Sequence, residues 1–81
     1  FNAGTIIPFS IAAGGSSVHL DVFNLLGQKI ATLVRDQRPP GQYQIPWDGR
    51  DHRGIAAASG VYLYRLQLGS SQQLRRMLLL R

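Results

Sequence analysis

The side chains able to do acid–base, nucleophilic or metal chemistry are few in these 81 residues: two histidines, His19 and His52, four aspartates, no glutamate and no cysteine. A structural zinc site takes four nitrogen or sulfur ligands, which two imidazoles cannot supply. Asp48 and Asp51 lie in the polar stretch Trp47-Asp48-Gly49-Arg50-Asp51-His52-Arg53-Gly54. A calcium loop would need more oxygen ligands at alternating positions and a closing Glu. No G-x-S-x-G elbow is present for a nucleophilic serine, and no glycine-rich turn opening a helix for a phosphate. The chain is therefore expected to be non-catalytic, with no metal and no cofactor.

Other roles fit these residues better. His19 and Asp21 are two apart in an alternating run, so they share a strand face and read as a solvated pair. Asp48 fits an Asx-turn that accepts backbone N–H groups, with Gly49 and Gly54 supplying positive φ and Trp47 packing inward. Asn24-Leu25-Leu26-Gly27 reads as a hairpin turn with Gly27 at the left-handed position. Gly60, after Ser59, marks another turn. Tyr62 and Tyr64 follow it in the manner of a sandwich corner, where a tyrosine buries its ring and bonds its hydroxyl to backbone.

The elements that must hold these residues are strands. Turn formers recur at short intervals, and the runs between them are of strand length and alternate. Ile7, Phe9 and Ile11 share a face in Thr5–Ile11, where Pro8 points to a sheet edge. Val18, Leu20 and Val22 share one in Val18–Phe23. Lys29–Val34 is less cleanly patterned. Tyr43, Ile45 and Trp47 align in Gln42–Trp47, and Tyr62, Tyr64, Leu66 and Leu68 in Val61–Leu68. Gln73–Leu80 is apolar on both faces near its end, the pattern of a strand covered on both sides. Ile55–Ala58 is a candidate seventh strand. The expected fold is one all-β domain over residues 1–81, an immunoglobulin-like or fibronectin III-like antiparallel sandwich of about seven short strands. Its expected core includes Phe9, Leu20, Val22, Ile45, Trp47, Tyr62, Tyr64 and Leu66.

A domain this short buries only about 60–65% of its unfolded surface. Without cysteine it must rely on apolar packing, and 44% hydrophobic residues make that feasible. No apolar run is long enough to span a membrane, and the N-terminal residues lack the charged and apolar regions of a signal peptide. Starting on Phe1, the chain reads as a fragment of a longer protein. Its net charge is +5, with eight of the nine basic residues arginine. Such a balance can serve solubility or an anionic partner. Arg50, Arg53, Arg75 and Arg76 could join into a basic patch. Without a groove-reading helix or a paired aromatic platform, nucleic acid is not the expected partner.

Several stretches taken together carry a family likeness: Phe1-Asn2 with Thr5–Ile11, Val22–Ile30, Trp47–Asp51 with Gly54, Ala58–Leu66 and Arg75–Arg81. In this order they resemble the type A C-terminal sorting domains of the type IX secretion system, a family that overlaps the Ig-like domain of flagellar hook-capping proteins. The resemblance implies an Ig-like sandwich at the end of a large exported protein. It also implies recognition by outer-membrane secretion machinery, attachment of cargo to anionic lipopolysaccharide, and a secreted or cell-surface location. Its final strand ends in a basic residue, as Arg81 does here, and the recognition residues would be Arg75, Arg76, Met77, Leu78, Leu79, Leu80 and Arg81. Of the family's Asn-Pro-Phe-Asn-Pro opening only Phe1-Asn2 is present, and Ala3 stands in place of the second proline.

The expected function is thus a sorting module, monomeric and without a membrane span. The alternatives are a structural Ig-like module of a surface or flagellar assembly, and a carbohydrate-binding accessory module. The last would need Tyr43, Trp47, Tyr62 and Tyr64 exposed in a row.

Overall fold

Alternation of apolar and polar residues, interrupted by turn formers, produces six antiparallel strands. The computed structural model describes residues 4–80. The strands are β1 (Thr5–Ile11), β2 (Ser16–Phe23), β3 (Lys29–Arg38), β4 (Gly41–Trp47), β5 (Gly60–Leu68) and β6 (Ser71–Leu79). They form two sheets, β1-β4 and β3-β2-β5-β6. The fold is an all-β sandwich of the Ig-like kind. Pro8 does lie in an edge position, since β1 has only β4 beside it.

The inward faces build a core in two clusters. Ile7, Phe9, Ile11, Val18, Leu20, Val34 and Leu66 form one. Val22, Ala31, Trp47, Tyr62 and Leu79 form the other, at the end where β1 begins and β6 finishes. Six of the eight expected core residues are buried. Ile45 and Tyr64 are only half-buried, although both pack against the first cluster. The two-stranded sheet is narrower than the four-stranded one it covers. Ile45 lies on β4, an edge strand of the two-stranded sheet, and Tyr64 lies opposite the exposed Arg75 of β6.

Two expectations about the strands need correction. Ile55–Ala58 is not a seventh strand, for only an isolated bridge joins Arg50 to Ala56. Local turn contacts satisfy the backbone of this segment instead: the Ile55 carbonyl accepts the Asp51 amide at 2.9 Å, and the Ala57 amide donates to the Gly49 carbonyl at 2.8 Å. Asp51 accepts hydrogen bonds from the amides of Arg53 and Ile55 at 2.9 and 3.0 Å. Nor is β6 covered on both sides. It ends the larger sheet, and Leu74, Leu78 and Leu80 remain 60%, 53% and 62% exposed on its outer face and beyond.

The uneven pattern of β3 has a structural cause. Its register against β2 shifts between Leu20 and Asp21 and again between Val22 and Phe23, leaving Leu33 and Ile30 unpaired. Each bulge shifts the alternation by one residue. Thr32 therefore faces Asp21 on the outer side, and Lys29 faces Phe23.

Candidate functional site

Three groupings of polar and charged side chains could be a site: the turn after β4, the outer face around Asp21, and strand β6.

The turn after β4 behaves as its residue types require. Asp48 Oδ1 accepts the Arg50 amide at 3.0 Å, and Gly49 and Gly54 have φ of 75° and 82°. Trp47 is buried, donates its indole N–H to the Arg50 carbonyl at 3.0 Å, and meets Tyr62 edge-on with ring centroids 5.1 Å apart. Tyr62 donates its hydroxyl to the Ala58 carbonyl at 2.6 Å, so of the two candidate corner tyrosines this is the one that closes the corner. An open groove of about 590 Å³ runs between this turn and β3, past Lys29, Thr32, Trp47, Asp48, Arg50 and His52. Its carboxylates are engaged: Asp48 lies 4.0 Å from Arg50, and Asp51 2.9 Å from Arg53. The Arg53 hydrogen bond holds the Asp51 carboxyl below its usual range.

Asp21 departs from expectation. It is fully buried rather than solvated. Thr32 donates to its Oδ1 at 2.8 Å and Arg65 to its Oδ2 at 3.1 Å, while His19 lies 3.1 Å and Lys29 3.7 Å away. Burial pushes the carboxyl up, but these hydrogen bonds and neighbouring charges outweigh it and hold it below the usual carboxylate range. Arg65 also lies over the Phe23 ring at 5.0 Å. Every oxygen of Asp21 is occupied by a neighbouring strand, so the cluster clamps β2, β3 and β5 together. Sequence spacing showed only the His19 contact, because the others lie across the sheet.

On β6 the expected recognition residues separate. Leu79 is fully buried and anchors the second core cluster, so it is not a surface contact. Met77 is half-buried, Arg75, Arg76, Leu78 and Leu80 are exposed, and Arg81 lies outside the described residues. Arg50 and Arg53 do not join Arg75 and Arg76 in one basic patch. Their turn hangs on β3, where His52 donates its amide to the Ile30 carbonyl at 2.8 Å, and β3 and β6 are opposite edges of the sheet. The exposed aromatic row that a sugar-binding face requires is missing, since Trp47 and Tyr62 are buried and Tyr43 and Tyr64 half-buried.

Among the described residues no group of three or more His, Cys, Asp or Glu side chains is placed to hold a metal. Nor is any helix among the described residues long and apolar enough to cross a membrane. A known family model, the FlgD Ig-like domain, matches residues 2–72. The chain belongs to the FlgD Ig-like domain family. The match takes in β1 to β5 and ends at the second residue of β6. No curated protein and no solved structure matches the chain. Membership of the FlgD Ig-like family accounts for the sandwich, and it gives no support to the narrower likeness to sorting domains.

Proposed function

We propose that this chain is a non-catalytic structural module, one that works by contact within a surface or flagellar assembly of the hook-capping kind. Family membership over residues 2–72 carries the reading. The side-chain chemistry supports it, because each of the four aspartates lies within ion-pair distance of a neighbouring cation, including Asp48 and Asp51 along the groove after β4. The test is a swap in the parent protein, replacing this module with an unrelated Ig-like sandwich of equal size. The structural reading expects export of the parent to continue while its assembly fails. Normal assembly with the foreign sandwich would refute it.

A second reading is favoured by one observation, the exposed final strand with its arginines. In it the module is a sorting signal that delivers exported cargo to the cell surface through outer-membrane secretion machinery, with cargo attached to anionic lipopolysaccharide. The same swap separates the two, because loss of a sorting signal would hold the parent inside the cell.

A further inference from the structure

We propose that the free edge of β6 takes an extended acidic segment of another protein as a fifth strand of the larger sheet. The inference rests on the module acting by contact, and it holds for either assembly named above.

A sheet edge of this length is a ready template for another chain. β6 pairs with β5 without interruption from Ser71 to Leu79, and it contains no proline, glycine or bulge. No backbone hydrogen bond outside the sheet involves it among the described residues. Arg75 and Arg76 sit in its middle. Being consecutive they face opposite sides of the sheet. Both are exposed, and neither has an ion-pair partner among the described residues, although all four aspartates have one. Beside them Val61, Arg76, Met77 and Leu78 line a shallow, largely apolar groove of about 290 Å³.

These features choose the occupant. A second copy of the chain is disfavoured, because β6 carries no carboxylate and no register of two copies sets an opposite charge against either arginine. Two β6 edges related by a two-fold axis normal to the sheet must pair residues of the same face. Centring the pair on Arg75 or on Arg76 then sets like charges directly opposite, which is destabilising. The chain cannot supply the strand itself, because its four aspartates are never adjacent in sequence. An incoming segment with two consecutive carboxylates would place one against each arginine, one on either face. Apolar residues on either side of that acidic pair would meet Leu74 and Leu78. Main-chain hydrogen bonds would supply the affinity and the side-chain pattern the selectivity.

The chain can be made to supply its own test partner. In the doubly reversed variant Arg75→Glu, Arg76→Glu each strand again repels its own copy but complements the wild type. Sedimentation should show each chain alone as a monomer and the equimolar mixture as a heterodimer. Amide shifts in the labelled wild-type partner should be confined to β6 and its groove, and affinity should fall by at least about tenfold from low to high salt. A melting curve shows whether the variant folds. A synthetic extended peptide with two adjacent central aspartates between valines provides the second arm, with controls in which lysines replace the aspartates or the aspartates are separated. A mixture of folded chains that stays monomeric overturns the proposal, as does wild type that self-associates as tightly as the mixture. Equal binding of the separated-aspartate peptide also overturns it, since the arginines would then be collecting polyanions without pairing a strand. Such a failure would leave the structural reading standing, because that is decided by the module swap.

Discussion

Thr32 donates a hydrogen bond of 2.8 Å to the buried carboxylate of Asp21, and it reaches that carboxylate because Leu33 is bulged out of the β2–β3 register. In a regular ladder Thr32 would face the opposite side of the sheet. The second bulge, at Ile30, brings Lys29 to the same face and frees the Ile30 carbonyl to accept the His52 amide. The polar clamp and the loop after β4 thus share one irregular strand.

The clamp makes stability depend on acid. The folded carboxyl of Asp21 titrates below its ordinary value of 3.8, so the unfolded chain binds the proton first. Its contribution is complete above about pH 4 and is lost as pH falls through the folded value. Asp51, also lowered, acts in the same direction. Denaturant unfolding of Asp21→Asn near neutral pH should show a loss of about 1–3 kcal/mol, because an amide donor would face Arg65. Its stability should also fall less steeply below pH 4 than that of the wild type. An unchanged acid limb would remove Asp21 as its cause.

Trp47 joins the second core cluster to the turn after β4. Trp47→Ala should cost about 3–5 kcal/mol, the range for removing a large aromatic from a core. Tyr62→Phe keeps the ring and removes only the bond to the Ala58 carbonyl, so about 1 kcal/mol is expected. Chemical denaturation of the two variants measures both, and equal losses would contradict the separation of ring packing from corner closure.

The end of β6 lets fold and recognition be separated. Among the described residues Leu79 is the last buried side chain, and Leu80 beyond it is exposed. Leu79→Ala should destabilise by about 2–5 kcal/mol. Deleting Leu80 and Arg81 should lower the melting temperature only slightly, since Leu80 is exposed and Leu79, which holds the core, is kept. In a reporter fusion expressed in a bacterium with the secretion system, the sorting reading requires this deletion to abolish surface delivery. Undiminished delivery removes the strand end as a signal.

Gly27 closes the β2–β3 hairpin with φ of 81°, and a Cβ there would meet no atom within 4 Å. Gly27→Ala should therefore cost only the backbone term, about 1–2 kcal/mol. Stability equal to wild type in thermal unfolding would mean that the turn relaxes to another conformation.

How much the sequence revealed varied with the range of the interaction. Ile7, Phe9, Val18, Leu20 and Val22 alternate, and alternation alone put them in the core. The Asn24–Gly27 and Asp48–Arg50 turns depend on neighbours within four residues, and their chemistry was legible. Thr32 was not, because a bulge depends on the pairing partner and leaves no periodic mark of its own. Asp21 read as a solvated residue because Thr32 and Arg65, which bury it, are distant in sequence. The exposed outer face of β6 was misread for a related reason. Leu74, Leu78 and Leu80 resemble buried residues by type, and only the sheet order shows that nothing lies over them.

The sheet order also governs how quickly this fold can form. Two pairings, β2 with β3 and β5 with β6, are hairpins that can close locally. The other two are distant: β1 must find β4 across the whole β2–β3 hairpin, with Ile11 opposite Gly41, and β2 must find β5 with Phe23 opposite Leu63. Closing such long loops carries an entropy cost before any contact compensates it. Refolding on the millisecond-to-second scale of sandwiches is therefore expected, rather than the microseconds open to helical bundles of this size. Until β5 docks on β2, the leucines of the β5–β6 hairpin wait in water without the rest of their sheet.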